Sequence, residues 1–253
     1  MIITDKREKI VPMFAGFEDS VLISYAEGRT GTGWCDDPDA PTAAVICAGD
    51  FYFTAGDPSF AAEAFKLAEN NSEAVFMPAG EGWTQALLAL GKGLEKTVRY
   101  RTTPPKSHDL AALEALADIS AFPEYKAGMI DEDIYTQALR ETWSWAFVGN
   151  FSDYNDFADN AFGCCITHEG RLICAASCYS AYSRGVEVEI ATHPDHRRKG
   201  LATAAGAAFI AECARRGLTA HWDAANTMSL KIASKFGYRL KEEYTALCFK
   251  EGV

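Results

Sequence analysis

The feature that most limits the fold of this chain is a strand, a basic turn and a long helix that follow one another directly. Val186–Thr192 alternates between apolar and polar residues, which is typical of a strand with one buried face. The basic turn Pro194–Lys199 comes next, and the alanine-rich stretch Gly200–Arg216 predicts a helix that ends at Gly217. Together with strands and helices that alternate elsewhere in the chain, this order predicts an α/β fold.

The start of that helix has the properties of an anion-binding site. A helix N-terminus carries unpaired N–H groups and a partial positive charge, which attract an anion. Gly200 lets a bulky anion approach the backbone, and Ala202 adds little obstruction. Arg197, Arg198 and Lys199 add positive charge at the same point, so the turn suits a pyrophosphate. A P-loop is excluded because the lysine precedes the glycine.

A second glycine cluster, Gly28–Gly33, is predicted to be a flexible loop. It runs into Trp34–Pro38, which is not interpreted as a helix start. We therefore expect no phosphate-binding turn at this cluster.

The chain has eight cysteines, and we expect them to be small buried residues rather than disulfides. Cys164 and Cys165, with Cys174 and Cys178, suggest a metal site at first sight. However, neighbouring residues on a strand point to opposite faces, and no pair has the two-residue spacing of a zinc knuckle. The short turn His193–His196 also lacks a third ligand nearby in sequence. The sequence therefore predicts no metal site.

Apolar runs and turn residues predict the remaining elements. In the first half we expect strands at Ala43–Ala48, Phe51–Thr54, Ala74–Met77 and Leu94–Arg101, and helices at Pro58–Asn70 and Trp83–Leu90. In the second half we expect strands at Phe162–Thr167, Leu172–Ser180, Leu218–Asp223 and Tyr244–Phe249, and helices at Asp109–Ala117, Asp131–Phe147 and Asn226–Phe236. The proline-containing stretch Thr102–Ser107 is predicted to link two domains, residues 1–107 and 108–253.

The stretch Arg197–Ala202 resembles the acetyl-CoA signature of GNAT-type N-acetyltransferases, Arg/Gln-x-x-Gly-x-Gly/Ala. Thr192–Pro194, Asn226 and Lys235–Tyr238 also fall where that family has its usual residues, and the similarity covers Phe162–Phe249. Within the superfamily the chain is most similar to the zwittermicin-resistance-type acetyltransferases. The resemblance implies a GNAT fold, a mixed central sheet flanked by helices. The first half repeats the order of elements without the basic turn, so we expect a degenerate GNAT-like half.

The resemblance also implies which residues hold acetyl-CoA. Backbone groups of Ile190–Thr192 would pair with the pantetheine arm, and backbone N–H groups of Arg198–Thr203 would hold the pyrophosphate. Asn226 would contact the arm or the thioester region. The residues assigned to the cosubstrate are Ile190, Ala191, Thr192, Arg197, Arg198, Lys199, Gly200, Leu201, Ala202, Thr203 and Asn226.

Two glutamates on the same strand are the candidates for the catalytic base. Glu187 and Glu189 share a face beside the expected acyl group, and either would take a proton from an amine. The alternative is that both simply lie on a polar strand face. Many relatives use a tyrosine in the last helix as general acid, but Ala233 occupies that position here. Tyr182 and Tyr238 are substitutes that the sequence does not rank.

The formal net charge of −11 makes nucleic acid a poor partner, because such binding needs a dense basic surface. An acidic surface favours cationic partners such as amines, although the simpler explanation, that it keeps the protein soluble, is preferred. No apolar stretch approaches the length of a membrane helix, and the start is too charged for a signal peptide, so we expect a cytoplasmic protein. We predict an N-acetyltransferase that uses acetyl-CoA and a small cationic amine, with a homodimer left open. The alternative is a non-enzymatic acyl-CoA-binding or interaction protein.

Overall fold

Two strands of the chain each begin in one structural unit and end in another. The computed structural model describes residues 1–250. Its first unit is Met1–Arg99 with the chain from Glu243 onward, and its second unit is Tyr100–Glu242. The strands β6 (Leu94–Thr103) and β13 (Arg239–Phe249) contain the two crossing points. The division into domains at residues 107 and 108 stays a prediction.

The predicted link Thr102–Ser107 is only partly a loop, because β6 continues through its first two residues. Thr102 is buried, and its hydroxyl donates a hydrogen bond of 2.6 Å to the carbonyl of Trp222. Just before it, Tyr100 and Arg101 pair with a strand of the second unit, β12 (Asp223–Ala224). The two prolines therefore follow the strand rather than interrupt it.

The first unit combines a mixed sheet with four short α-helices. Its other strands are β1 (Ile2–Thr4), β2 (Thr32–Cys35), β3 (Ala43–Ala48), β4 (Phe51–Gly56) and β5 (Val75–Pro78). Its helices are α1 (Arg7–Ile10), α2 (Ser20–Ala26), α3 (Ala61–Ala68) and α4 (Glu81–Ala89), with 3-10 turns at Val11–Phe14 and Pro58–Phe60. Strands β1 to β4 pair antiparallel in chain order, β4 pairs parallel with β5, and β5 pairs antiparallel with β13. The predicted hairpin of β3 and β4 is confirmed.

The prediction of a flexible loop at Gly28–Gly33 is wrong for its last residues. Thr32 and Gly33 belong to β2, which pairs with β1 on one side and β3 on the other. The glycines misled the prediction because Gly28 and Gly31 do adopt left-handed backbone angles, φ +77° and +86°, but they do so at the turn before the strand.

The second unit is an antiparallel sheet with one parallel strand at its edge. Its other strands are β7 (Tyr125–Met129), β8 (Gly163–His168), β9 (Arg171–Tyr182), β10 (Gly185–Thr192) and β11 (Thr219–His221). Its helices are α5 (Leu110–Ala117), α6 (Glu132–Ala138), α7 (Thr142–Trp145), α8 (Tyr154–Asn160), α9 (Leu201–Arg215) and α10 (Thr227–Lys235), with a 3-10 turn at Pro194–His196. The strand order is β11-β10-β9-β8-β7, and only the pair β10–β11 is parallel.

Helix α9 packs closely on this sheet because it presents a glycine to it. A Cβ at Gly206 would lie 3.2 Å from the Cδ1 of Ile190 and 3.0 Å from the ring of Phe236. The strand, the basic turn and the helix predicted from the sequence are therefore all present, with Gly200 as the residue before the helix.

The prediction of one continuous helix over Asp131–Phe147 is wrong. Helices α6 and α7 are separated by Leu139–Glu141, and Glu141 has extended backbone angles. The hydroxyl of Ser144 donates to the carbonyls of Ala138 and Glu141, at 2.9 and 3.2 Å, and so competes with helical hydrogen bonds at the break.

Both units contain the same local order, and both have the predicted mixed α/β architecture. In each, an antiparallel strand pair is followed by a helix and then by a strand parallel to the second of the pair: β3, β4, α3, β5 and β9, β10, α9, β11. Six of the eight cysteines are buried as free thiols, as expected. Within residues 1–250, no helix is long and apolar enough to cross a membrane, and no group of metal-ligating side chains gathers.

Candidate functional site

The turn before α9 presents a row of free backbone N–H groups. Arg198 and Gly200 both have left-handed backbone angles, φ +64° and +84°, and such alternation turns successive N–H groups toward one point. Within the described chain, no hydrogen bond occupies the N–H groups of Arg198, Lys199, Gly200, Leu201 and Ala202. The N–H of the next residue, Thr203, is not free, because it donates to the carbonyl of Gly200 at 2.9 Å.

The side chains of the basic turn have different surroundings. The Nε of Arg197 donates to the carbonyl of Thr192 at 3.2 Å, which ties the turn back to β10. Arg198 is exposed, and its guanidinium forms no ion pair within residues 1–250. No heavy atom lies within 4 Å of the place where a Cβ of Gly200 would be. The turn therefore offers an open, positively charged surface that fits a phosphorylated ligand.

Lys199 is held by a residue that the sequence analysis missed. Its ammonium donates to the hydroxyl of Tyr125 at 2.9 Å, and that hydroxyl is 2.8 Å from the Nδ1 of His196. Since an ammonium only donates, the tyrosine proton is left for the imidazole nitrogen. Burial lowers the pKa of His196, and the nearby Lys199 and His168 lower it further. Tyr125 thus holds residues on both sides of the left-handed Arg198.

Strand β10 has one edge without a partner strand over its second half. It pairs with β11 only through Gly185–Glu187, opposite Thr219–His221. Its residues Ile190–Thr192 pair with β9 on the other side, and no strand within residues 1–250 covers their outer edge. The two parallel strands therefore separate after Glu187, and the open edge leads directly into the turn. An extended ligand can add to such an edge through backbone hydrogen bonds.

The two candidate glutamates occupy different positions along β10. Ile190 faces α9, and the pairing of β10 with β9 has an irregularity between Glu187 and Val188, so the shared face of Glu187 and Glu189 stays a prediction from alternation. Glu187 is only 7% exposed, and its Oε1 accepts the backbone N–H of Asp223 at 2.8 Å. Glu189 is half-buried and lies further along the open edge. Glu187 therefore links β10 to the backbone just after β11, at the point where the two strands separate. Glu189 is the more exposed of the two carboxylates.

The structure distinguishes the two substitute tyrosines. Tyr238 is buried, its hydroxyl donates to the carbonyl of Ala220 at 2.7 Å, and burial raises its pKa. Tyr182 is half-buried, and its hydroxyl lies 2.9 Å from the Nε2 of His221, whose pKa burial lowers. Ala233 is fully buried in the core. Tyr182 is therefore the more exposed of the two tyrosines, and Tyr238 supports the core.

Asn226 begins helix α10. Its Oδ1 accepts the backbone N–H groups of Met228 and Ser229, at 3.0 and 2.9 Å, which is the pattern of an N-cap. Its side chain is exposed. Lys235, at the other end of α10, donates to the hydroxyl of Thr203 at 3.0 Å and so connects α10 with the first turn of α9.

Comparison with known proteins identifies one family. The sequence model of the GNAT acetyltransferase family matches residues 11–247. A curated relative from Bacillus subtilis (strain 168), described as the uncharacterized N-acetyltransferase YdfB, is 27% identical over 118 residues. That match covers 46% of this chain and 45% of the relative, so it spans about half the length of each.

Solved structures agree with this family match. A GCN5-related N-acetyltransferase-like protein from Streptococcus suis 89/1591 is 32% identical, with a TM-score of 0.89 over 96% of this chain and 98% of that one. A tandem GNAT protein from the clavulanic acid biosynthesis pathway is 11% identical, with a TM-score of 0.55 over 97% of this chain and 96% of that one. The second likeness concerns the fold alone, and it fits an arrangement of two GNAT-like halves.

Proposed function

The chain belongs to the GNAT acetyltransferase family, and from that premise we propose that it transfers an acetyl group from acetyl-CoA to a primary amine of a small cationic molecule. One observation carries the proposal: the free N–H groups of Arg198–Ala202 directly follow the open edge of β10. This combination, an anion site at a helix start beside an unpaired strand edge, suits a pyrophosphate joined to an extended arm.

The cosubstrate would be held mainly by backbone groups. Ile190–Thr192 would hydrogen-bond the pantetheine arm along the open edge, and the five free N–H groups would bind the pyrophosphate. The exposed guanidinium of Arg198 adds charge-assisted hydrogen bonds. Asn226 would reach the arm with its amide nitrogen, because its oxygen caps α10.

The transfer needs one group that takes a proton and one that gives a proton. Acetyl-CoA supplies the acetyl group as a thioester, and coenzyme A leaves as a free thiol. Glu189 would take a proton from the ammonium form of the amine so that its nitrogen can bond to the carbonyl carbon, and Glu187 is the alternative base. The acylated nitrogen then loses a second proton, which offsets the proton given to the sulfur. Tyr182 would give a proton to the departing sulfur, in place of the tyrosine that Ala233 replaces.

The acceptor that we propose is a small cation. The net charge of −11 favours the approach of a cation. A small polyamine-like acceptor is what membership of the zwittermicin-resistance-type acetyltransferases, expected from the sequence, would imply. A cytoplasmic location is part of the same proposal, and a homodimer is left open.

A second candidate function is acyl-CoA binding without catalysis. The buried Ala233 at the usual tyrosine position is the observation that favours it. One assay distinguishes the two candidate functions. The protein is incubated with acetyl-CoA and a panel of diamines, polyamines, aminosugars and amino acids, and the release of free thiol is measured.

Acetyl transfer predicts thiol release that depends on an amine and is lost in Gly200→Asp. If coenzyme A binds by calorimetry but no amine accelerates thiol release, the binding function is correct and the transferase proposal is wrong. If coenzyme A does not bind either, both candidates fail.

A further inference from the structure

A groove in the first unit is lined by none of the residues proposed to bind acetyl-CoA or to act in catalysis. It has a volume of about 390 Å³ and is lined by residues of β1, β2, the first two helices and the segments that join them, among them Asp5, Arg7, Tyr25, Gly31 and Gly33. The two glycines belong to the cluster Gly28–Gly33. Its size is that of a site for a small molecule.

Two of the residues that line the groove each have a buried polar atom without a partner. Within residues 1–250, neither the hydroxyl of Tyr25 nor the Nε of Arg7 forms a hydrogen bond. Tyr25 is only 1% exposed, and a Cβ at Gly33 would collide with its hydroxyl, so glycine is what makes room for that group. Buried donors without partners are unfavourable. Tyr25 and Arg7 thus leave two donors at one groove that a ligand with acceptor oxygens would satisfy.

The charges along the groove define the chemistry of that ligand. The guanidinium carbon of Arg7 lies 5.3 Å from the ring centroid of Tyr25. Within the described residues, the guanidinium makes no ion pair with a carboxylate, although Asp5 lines the same groove. Burial raises the pKa of Tyr25, so its hydroxyl stays a donor at neutral pH. A guanidinium and a phenol together suit a carboxylate, and Asp5 suits a cation.

We propose that this groove binds a small zwitterion of the amino acid type. Its carboxylate accepts from Arg7 and Tyr25, and its ammonium group pairs with Asp5. The groove is formed entirely by residues of the first unit and shares none with the turn before α9.

Calorimetry on the full chain with the common free L-amino acids tests the proposal. Each amino acid that binds is compared with two half-ligands, the acid without its amino group and the amine without its carboxylate. We expect at least one amino acid to bind and both of its half-ligands to bind at least about 10-fold more weakly. If no amino acid binds at millimolar concentration, or if a half-ligand binds equally well, the proposal is overturned.

Three variants separate a binding role from a structural one. Tyr25→Phe removes a hydroxyl that has no partner, so the melting temperature without ligand should stay equal or rise, while affinity falls by about 3- to 10-fold. Asp5→Asn should weaken binding of the amino acid but not of its acid half-ligand. Glu8→Gln, which removes the same charge from an exposed residue of α1, is the matched control and should change neither. Unchanged affinity in both Tyr25→Phe and Asp5→Asn would refute the assignment.

Discussion

The assignment of the α9 turn to a pyrophosphate can be tested with two substitutions that differ only in charge. Gly200→Asp and Gly200→Asn add side chains of nearly the same size at the residue before the helix. The wild-type residue has φ +84°, and no heavy atom lies within 4 Å of its missing Cβ. Neither variant therefore creates a clash in the protein without ligand.

The expected loss of stability is small and similar in both variants. A non-glycine residue in left-handed conformation costs about 1 kcal/mol, and Asn and Asp tolerate that region better than other residues. A carboxylate at a helix N-terminus also stabilises the helix by about 0.3–1 kcal/mol. Gly200→Asp should therefore be at least as stable as Gly200→Asn, and unfolding cannot explain a loss of binding that is specific to Asp.

The difference in coenzyme A affinity follows from Coulomb repulsion. A carboxylate about 5 Å from one pyrophosphate charge is repelled by about 1–3 kcal/mol, for effective dielectric constants between those of water and a protein surface. This corresponds to a dissociation constant about 5- to 150-fold higher for Asp than for Asn. The difference should shrink at high salt, because the site is exposed.

Calorimetric titration with coenzyme A, beside urea unfolding of both variants, measures these quantities. Equal affinity of the Asp variant, the Asn variant and the wild-type protein would refute the placement of the pyrophosphate at this turn. A difference between Asp and Asn that did not respond to salt would show that the effect is not electrostatic.

Three further predictions concern other parts of the two units. Glu189→Gln should lower kcat by about 100-fold or more in steady-state kinetics, with coenzyme A affinity nearly intact. Glu187→Gln should lower the melting temperature in thermal unfolding, because it weakens the contact with Asp223. A loss of kcat in Glu187→Gln together with a lower melting temperature in Glu189→Gln would contradict this assignment. Tyr125→Phe should weaken coenzyme A binding by about 10-fold and reduce the free energy of unfolding by about 1–2 kcal/mol, since it removes the hydroxyl that holds Lys199; unchanged calorimetry would refute the positioning role. Although burial raises the pKa of Asp36, hydrogen bonds from Thr42 and Ala43 lower it to about 2. The carboxylate therefore stabilises the fold above pH 4 and loses that effect as the pH falls towards 2. The difference in urea stability between the wild-type protein and Asp36→Asn should be largest near neutral pH, and a constant difference across this range would contradict the reasoning.

The sequence predicted the parts of the site that depend on neighbours along the chain. Strand β10, the basic turn and α9 are contiguous, so alternation, basic residues and glycine were enough to locate them. Tyr125 was missed because its strand, β7, is short and pairs with β8, a strand that is distant in sequence. Helices α6, α7 and α8 lie between the two strands along the chain. No local signal joins Tyr125 to Lys199 across 74 positions.

The errors in the predicted secondary structure also come from contacts that the local sequence pattern does not show. The apolar periodicity over Asp131–Phe147 is present in the sequence, but the side chain of Ser144 competes with the backbone and divides the helix. Leu218–Asp223 reads as one strand, yet it changes partner at Trp222: β11 pairs with β10, and β12 pairs with β6. A pattern of apolar residues shows that a segment is buried, but it does not identify the strand beside it.

The path of β13 has a consequence for the order in which the protein can form on the ribosome. Strand β5 of the first unit pairs with β13, and Ala246 and Leu247 of that strand are completely buried. During synthesis, β13 emerges only after the whole of Tyr100–Glu242 has been translated. Until then β5 presents an uncovered edge, which is a template for pairing with another chain. The nascent first unit must therefore wait for the rest of the polypeptide before its sheet is complete, and this interval is when a chaperone would protect it.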